Sequence, residues 1–347
     1  MVVPIPESAV VVVGSVGELT TTTRLIEGLV GDDQKGSSSC GSNVTNWVVS
    51  VGFDQIVRIW DADSGEVLGT TMISRSAYAA RPLLCCSRYG HQLATSDQVT
   101  ISIWNLRSDT SLELVQTIST GHGSIYSPRM NDDGCRIVFV HKDGYLCYWD
   151  LESGAELWCH DVKRVLAVDI SFDGALIVSG SQDGIVRLLA AETGDEMCEF
   201  RGHDGRIRSV QFNPDASRIA SGSDVSTIRI WDVATQCQVM LLEGHSNVVS
   251  GLSYSCDGTR LASASSDKTV RVWNTESGVC LLVLQGHVGY ALSLSFSSDG
   301  SRIATGGRDG TVIIWDCASG CEVMRLEGHG AVYGVCYVPT VSDYLLK

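Results

Sequence analysis

Basic residues are scarce in this 347-residue chain. Only 25 Lys and Arg stand against 40 Asp and Glu, the formal net charge is −15, and no basic run occurs. Because nucleic-acid binding needs a dense cationic surface that displaces counterions, we expect no nucleic-acid partner. No stretch approaches the roughly 18 apolar residues of a membrane-spanning helix, so we expect no membrane partner either.

The chain also lacks the signs of a secreted protein. Residues 1–16 do not have the basic start of a secretory signal. The 13 cysteines are odd in number, and several lie in apolar strand-like runs, as do Cys147, Cys159, Cys280 and Cys336. Such cysteines are typical of buried, reduced thiols. We therefore expect a cytoplasmic or nuclear location.

Signals of catalysis and of metal binding are missing as well. Cys85-Cys86 and the Cys317 to Cys321 spacing do not provide the paired Cys-x-x-Cys of a zinc site. No phosphate-binding loop and no Gly-x-Ser-x-Gly nucleophile motif occurs. The sequence thus predicts no enzyme, no catalytic residue, no cofactor and no metal.

What the sequence does have is an internal repeat. Trp231, Trp273 and Trp315 are 42 residues apart, and each follows a short β-branched run and precedes Asp or Asn. Earlier copies end at Trp60, Trp104 and Trp149, and Leu189 stands where a further tryptophan is due. Gly-His pairs recur with the same period, as at Gly202-His203, Gly244-His245, Gly286-His287 and Gly328-His329. Between these marks, short apolar runs alternate with Asp-Gly or Ser-Asp turns, which predicts four strands per repeat.

A period of about 40 to 45 residues with Gly-His near one end and Trp-Asp near the other resembles the WD-repeat (WD40) family. The resemblance covers nearly the whole chain and implies an all-β propeller of four-stranded antiparallel blades. The regular repeats between residues 200 and 330 also resemble those of fungal WD40 proteins and of propellers attached to NACHT-type immune receptors. The sequence predicts one propeller domain over residues 1–347.

The number of blades is open from the sequence. Seven repeats occupy residues 31–327, and the remaining segments, 1–30 and 328–347, resemble strands of a split eighth blade that would join the two termini. In that hypothesis residues 331–338 form the first strand of the closing blade. The alternative is a seven-bladed ring with frayed ends, and residues 36–42 are a weak candidate for the first strand of the Trp60 blade.

The resemblance further implies a buried tetrad of His, Ser or Thr, Asp and Trp in each regular blade. Carried over residue by residue, the tetrad is complete once, as the set His245, Ser265, Asp267 and Trp273. The next repeat has Gly307 in the hydroxyl position, and the degenerate repeat keeps His160 but has no tryptophan. These polar groups satisfy one another's hydrogen bonds, so we interpret them as structural and not catalytic.

Function is therefore expected at the surface. In the family the Gly-His loop and the tight turn before the third strand emerge on one narrow face around the central channel. The candidate partner-binding residues there are Phe53, Lys142, Gln182, Arg206, Asn247, Tyr290 and Arg308. Aromatic, arginine and amide side chains are frequent in binding hot spots.

Two functions from different classes are compatible with this surface. The first is a non-catalytic scaffold or recognition subunit that binds other proteins or peptides, as one member of a larger complex. The alternative is a small-ligand binder or enzyme that uses the central channel. That alternative predicts several charged or metal-binding side chains on the innermost strands.

Overall fold

The structure, a computed structural model, describes residues 46–73, 83–87, 92–97, 99–119, 124–142, 144–162 and 164–338. The chain divides into units of residues 1–42 and 43–347, and all described residues belong to the second unit. The elements assigned to the described residues are 28 β-strands. Within those residues there is no helix with the length and apolar character that crossing a membrane requires.

The strands follow one another in chain order, and most contain five or six residues. The first group is Trp47–Gly52 (β1), Ile56–Asp61 (β2) and Val67–Met72 (β3). The next are Leu83–Cys86 (β4), Gln92–Ser96 (β5), Thr100–Leu106 (β6), Leu112–Ser119 (β7), Ile125–Met130 (β8), Arg136–His141 (β9), Tyr145–Asp150 (β10) and Ala155–Asp161 (β11). They are followed by Val165–Ile170 (β12), Leu176–Ser181 (β13), Ile185–Ala190 (β14), Glu196–Arg201 (β15), Ile207–Phe212 (β16), Arg218–Ser223 (β17), Ile228–Asp232 (β18) and Gln238–Leu242 (β19). The last are Val249–Tyr254 (β20), Arg260–Ser265 (β21), Thr269–Asn274 (β22), Cys280–Gln285 (β23), Ala291–Phe296 (β24), Arg302–Gly307 (β25), Thr311–Asp316 (β26), Glu322–Glu327 (β27) and Val332–Val338 (β28).

These strands form seven four-stranded antiparallel sheets. Blade 1 has the order β28-β1-β2-β3, and blades 2 to 7 are β4–β7, β8–β11, β12–β15, β16–β19, β20–β23 and β24–β27. The innermost strands contact one another in the sequence β28, β4, β8, β12, β16, β20, β24 and back to β28, so the blades close into a ring. The prediction of an all-β propeller with four-stranded antiparallel blades is confirmed.

The split eighth blade is wrong. The strand that it required, β28, pairs with β1, so that Trp47 faces Val338 and Val51 faces Gly334. Residues 331–338 therefore supply the first strand of the Trp60 blade and close a ring of seven. The physical reason is that β28 pairs with the otherwise open edge of β1, so this sheet has four strands without a further blade. The other two segments of the hypothesis, residues 1–30 and 36–42, lie outside the described residues.

The hydrophobic core lies between neighbouring blades. One cluster joins Val270 and Val272 of blade 6 to Phe296 and Trp315 of blade 7, and six similar clusters occur around the ring. Small residues on the second strands allow this close packing. A Cβ atom on Gly306 would lie 2.6 Å from the Cγ1 atom of Val332 on the next inner strand. Gly180 and Gly222 occupy the same position in blades 4 and 5, and an added Cβ atom would clash there in the same way.

The turn between the first two strands of a blade is built from a repeated Ser-x-Asp-Gly sequence. In blade 6 the Ser255 hydroxyl donates to Asp257, whose carboxylate also accepts the backbone N–H of Thr259. Gly258 has φ +70°, a conformation that favours glycine. These turns fix the register of the two strands they join.

Candidate functional site

The His–Ser–Asp–Trp tetrad is best formed in blade 6. His245 Nδ1 lies 2.7 Å from the Asp267 carboxylate, and His245 Nε2 lies 2.8 Å from the Ser263 hydroxyl. The Trp273 indole N–H donates to the same hydroxyl at 2.8 Å. The four side chains thus form one chain of hydrogen bonds from the loop before β20 to strands β21 and β22.

The hydroxyl of the tetrad is Ser263 and not Ser265, so the sequence assignment is corrected here. Ser265 lies two residues farther along β21, where its hydroxyl donates to the backbone oxygen of Asn247 and accepts the Asp267 N–H. Both serines face the same side of the strand because side chains alternate with a period of two. Of the two serines, Ser263 is the one whose hydroxyl accepts the Trp273 N–H.

With this correction the tetrad is complete in two further blades. Blade 7 uses Thr305, which bonds His287 and Trp315 at 2.8 Å each, while Asp309 bonds the same histidine. In blade 1 the hydroxyl is Ser50 and the other members are His329, Asp54 and Trp60. The hydroxyl residue stands ten positions before the tryptophan in each of these copies, a sequence signal that identifies it.

Burial keeps these histidines neutral. Desolvation lowers the pKa of His245, and it outweighs the Asp267 hydrogen bond that would raise it. Burial alone would raise the pKa of Asp267, but hydrogen bonds from Thr269 and His245 lower it to about 2. In blade 5, where no carboxylate reaches the ring through a recorded hydrogen bond, burial and the Arg229 charge lower the pKa of His203 to about 4. A neutral imidazole held by fixed partners has a structural role.

The irregular repeats lack parts of this network. In blade 5, Asp224 pairs with Arg208. In blade 3 the position ten residues before Trp149 is Phe139, and within the described residues the buried Trp149 N–H has no partner. His160 is not a tetrad member, because it lies exposed on the outer strand β11, with its ring 5.0 Å from that of Trp158.

Two of the cysteines differ from the sequence prediction. Cys147 and Cys159 face each other on β10 and β11 and form a disulfide, so the expectation of reduced thiols is wrong for this pair. Cys280 and Cys336 are free and half-buried. The Glu156 carboxylate and the two bonded sulfurs lie within 4.8 Å of one another. Sulfurs that are joined in a disulfide are not thiolate ligands for a metal.

The two loops that the sequence singled out meet at one edge of each blade, which we name the top edge. The loop before the first strand and the turn between the second and third strands both lie there because the first two strands are antiparallel. A backbone hydrogen bond joins the two loops in blade after blade. Lys142 N–H donates to Ser124, and Arg308 N–H donates to Tyr290 at 2.8 Å. The top edge is therefore a backbone-braced surface.

All seven predicted partner-binding residues lie in these top-edge loops. Phe53, Lys142, Gln182 and Arg308 are in the turns, and Arg206, Asn247 and Tyr290 are in the loops before the first strands. Six are exposed and Gln182 is half-buried. The Phe53 residue is 59% exposed.

Blade 7 presents an aromatic and a cation together. The Arg308 guanidinium carbon lies 5.5 Å from the centre of the Tyr290 ring, a cation–π arrangement. Val288 in the same loop is 75% exposed. Phe53 is on blade 1, the next blade around the ring. Sequence reasoning did not identify Val288, although its position directly after His287 was the available signal.

Exposed cations recur along the inner part of the top edge. They are Lys142, Arg164, Arg206, Lys268 and Arg308. Among the described residues none of these five has a recorded ion pair. The top edge also carries carboxylates: Asp161, Asp183 and Asp204 are exposed, and Asp54, Asp267 and Asp309 are half-buried. The five cations thus lie among carboxylates, on a chain whose net charge is −15.

One level of the inner strands carries a ring of mainly polar side chains, which we name the inner ring. Its members are Arg129, Asp169, Gln211, Ser253, Ser295, Cys336 and Cys85. Several bridge to the next blade, as Asp169 does by accepting the Phe212 N–H at 2.8 Å. Burial raises the pKa of Asp169 to about 6, although Arg129, 3.6 Å away, acts to lower it.

Comparison with known proteins agrees with this architecture. The family described as "WD domain, G-beta repeat" matches residues 152–188, 194–232, 236–274 and 278–316. The meiotic recombination protein rec14 of Schizosaccharomyces pombe is 32% identical over 133 residues, which are 35% of this chain and 43% of that protein. Autophagy-related protein 16 of Arabidopsis thaliana is 25% identical over 185 residues, 49% of this chain and 34% of the relative.

A third relative is eukaryotic translation initiation factor 3 subunit I of Culex quinquefasciatus. It is 26% identical over 158 residues, 40% of this chain and 46% of that protein. The matches thus span less than half the length of each of these curated relatives.

Proposed function

Because this chain belongs to the WD-repeat β-propeller family, we propose that it is a non-catalytic interaction module that binds other proteins or peptides through its top edge. The observation that carries the proposal is the exposed group of Val288, Tyr290 and Arg308 on blade 7, together with the exposed Phe53 on the neighbouring blade 1. Exposed aromatic and arginine side chains on a fixed backbone are the usual anchors of a protein interface.

The rigidity of the surface supports this function. The tetrads of blades 1, 6 and 7 tie the loops before the first strands to the strands behind them. The backbone bond from Arg308 to Tyr290 holds the two top-edge loops of blade 7 together. A pre-organised surface loses little conformational entropy when a partner binds, so more of the contact energy remains as affinity.

The proposed partner segment combines acidic and apolar side chains. Phe53 and Val288 offer apolar contact, and Arg206, Lys268 and Arg308 offer cations without recorded internal ion pairs. Complementary charge accelerates association and selects the partner more than it adds affinity. Binding should therefore weaken as the salt concentration rises.

The central channel is the less favoured site. It would need several carboxylates or histidines on the innermost strands, and the described parts of these strands carry no histidine. Their charged residues are Arg129, Asp169 and Arg208. Arg208 pairs with Asp224, and Asp169 bonds the protein's own backbone. The inner ring thus uses its polar groups to join blades.

We further propose that the interaction domain is a single propeller, that it works as a subunit of a larger assembly, and that it is located in the cytoplasm or nucleus. One of its relatives is named as a subunit of a translation initiation factor. Size measurement of the native complex in extracts of the source cells would test the assembly.

The direct test is selection of peptides from a random display library on the full chain. Selected peptides are then measured by fluorescence anisotropy against a Tyr290→Ala/Arg308→Ala variant. The matched control is Arg107→Ala/Phe172→Ala, which removes one arginine and one exposed aromatic from turns at the opposite edge. We expect acidic, aromatic-containing peptides that bind the top-edge variant roughly tenfold more weakly and the control unchanged.

Far-UV circular dichroism and thermal unfolding establish that both variants are folded. Peptides that bind the wild type and both variants equally would overturn the top-edge proposal. If no peptide is enriched on the folded wild-type chain, the proposal of a peptide-binding edge also fails.

A further inference from the structure

The ring of seven blades is closed by a strand from the far end of the described chain. Strand β28 pairs with β1 by backbone hydrogen bonds, and it packs against β4, the inner strand of blade 2. At this second contact Cys336 of β28 meets Cys86 of β4. Their sulfur atoms are 2.7 Å apart, and the two residues are 250 positions apart in sequence.

The two thiols are electrostatically coupled through their contact. The hydrogen bond from Cys86 lowers the pKa of Cys336, and the charge of Arg129 acts in the same direction against the effect of burial. The same hydrogen bond, together with burial, raises the pKa of Cys86. Since either sulfur can be the donor in this contact, either cysteine can supply the thiolate that is the nucleophile in disulfide exchange, and the other is then the second thiol.

A third thiol nearby is set apart by its environment. Cys85 belongs to the inner ring and is buried, and desolvation raises its pKa to about 12. The residues Cys86 and Cys336 are both half-buried, whereas Cys85 is buried. The disulfide between Cys147 and Cys159 lies on outer strands of blade 3 and does not involve this group.

We propose that Cys86 and Cys336 form a redox-modification site, in which a small disulfide oxidant links them and locks the ring covalently at its closure. The thiolate of one of the two cysteines attacks one sulfur of glutathione disulfide, the S–S bond breaks, and one glutathione thiolate leaves. The other cysteine then attacks the protein sulfur of the mixed disulfide and releases the second glutathione. The protons of the two protein thiols pass to the two glutathiones, so two protein thiols are oxidised and one glutathione disulfide is reduced.

The link should stabilise the fold because it spans most of the chain. A cross-link between distant residues removes many conformations from the unfolded state. It also ties β28 of blade 1 covalently to β4 of blade 2, so the two blades cannot separate at this contact. We expect the unfolding midpoint to rise by roughly 5 °C or more on oxidation.

The experiment exposes the folded full-length chain to glutathione buffers of increasing disulfide fraction and then traps the remaining thiols with N-ethylmaleimide. Mass spectrometry of non-reduced digests identifies a cross-link between the peptides that contain Cys86 and Cys336. Thermal unfolding is measured on the same samples. The test variant is Cys86→Ser. The matched control is Cys85→Ala, which removes the neighbouring cysteine of the same peptide.

We expect the cross-link and the thermal shift in the wild type and in Cys85→Ala, and neither in Cys86→Ser. Circular dichroism before oxidation tests whether each variant is folded. If a variant is unfolded, the wild-type result alone decides the proposal. The proposal is overturned if excess glutathione disulfide yields no cross-link in the folded wild type. A cross-link that persists in Cys86→Ser, or one that forms without any thermal shift, would also refute it.

Discussion

Replacing Ser263 by alanine should be among the most destabilising single-atom changes in blade 6. The Ser263 hydroxyl accepts the indole N–H of Trp273 and bonds His245 Nε2, each at 2.8 Å, and the serine itself is fully buried. Its removal leaves two buried polar groups without a partner. Since each such group costs about 1–3 kcal/mol, we expect a loss of about 2–6 kcal/mol in the free energy of unfolding.

A double-mutant cycle with Trp273→Phe isolates the hydrogen bond from other effects of the mutation. Phenylalanine has no N–H, so in that background the Ser263→Ala change leaves only the histidine without its partner. We expect an interaction energy of about 1–2 kcal/mol between the two sites. Urea unfolding monitored by circular dichroism gives the free energies, provided that the m-value stays constant among the four proteins.

Ser265→Ala is the matched control on the same strand and face. Ser265 bonds only backbone groups, the oxygen of Asn247 and the N–H of Asp267. Its loss should cost about 1 kcal/mol and show no coupling to Trp273→Phe. The reasoning is refuted if Ser265→Ala destabilises more than Ser263→Ala, or if the Ser263 and Trp273 changes are additive.

Two further predictions concern pH. The pKa of Asp169 is about 6 in the fold against an ordinary value of 3.8, so the folded state binds more protons and stability falls as the pH rises through this window. Asp169→Asn should therefore raise the free energy of unfolding at pH 7 by up to about 3 kcal/mol, with little gain below pH 4, and equal stability at both pH values would contradict this. The pKa of His203 is lowered to about 4 from 6.5, so its contribution is complete above pH 6.5 and is lost as the pH falls towards 4. In His203→Gln, urea unfolding at stepped pH should show up to about 3 kcal/mol less change across that window, and an unaltered pH profile would exclude the histidine as its source.

The tetrad illustrates how far sequence reasoning reached. The positions of His245, Asp267 and Trp273 were identified from the repeat, and the structure brings these three side chains together. The sequence assigned the hydroxyl to Ser265 because Ser263, two residues earlier on the same face of the strand, is also a serine. Comparison among copies would have resolved it, because Gly307 cannot supply a hydroxyl while Thr305 can.

The cysteines and the inner ring were beyond the reach of the sequence. Cys147 and Cys159 form a disulfide because the register of β10 and β11 places them opposite each other. Cys86 and Cys336 met only through closure of the ring. Arg129 and Asp169 lie on first strands of neighbouring blades, and no spacing rule indicates that one carboxylate would be buried there.

By itself, the sequence determined the repeat, the four-stranded blade and the position of the top-edge loops, because these follow from local periodicity, turn residues and a recurring Trp and His. The tertiary structure alone decided the number of blades. The matched sequence repeats, such as residues 236–274, begin with the outer strand of one blade and continue with three strands of the next. The repeat is therefore out of phase with the blade, and the final strand must find its partner at the opposite end of the chain. Whether β28 completes blade 1 or begins another blade depends on hydrogen bonds between residues almost 300 positions apart, such as Trp47 and Val338, which local sequence cannot specify.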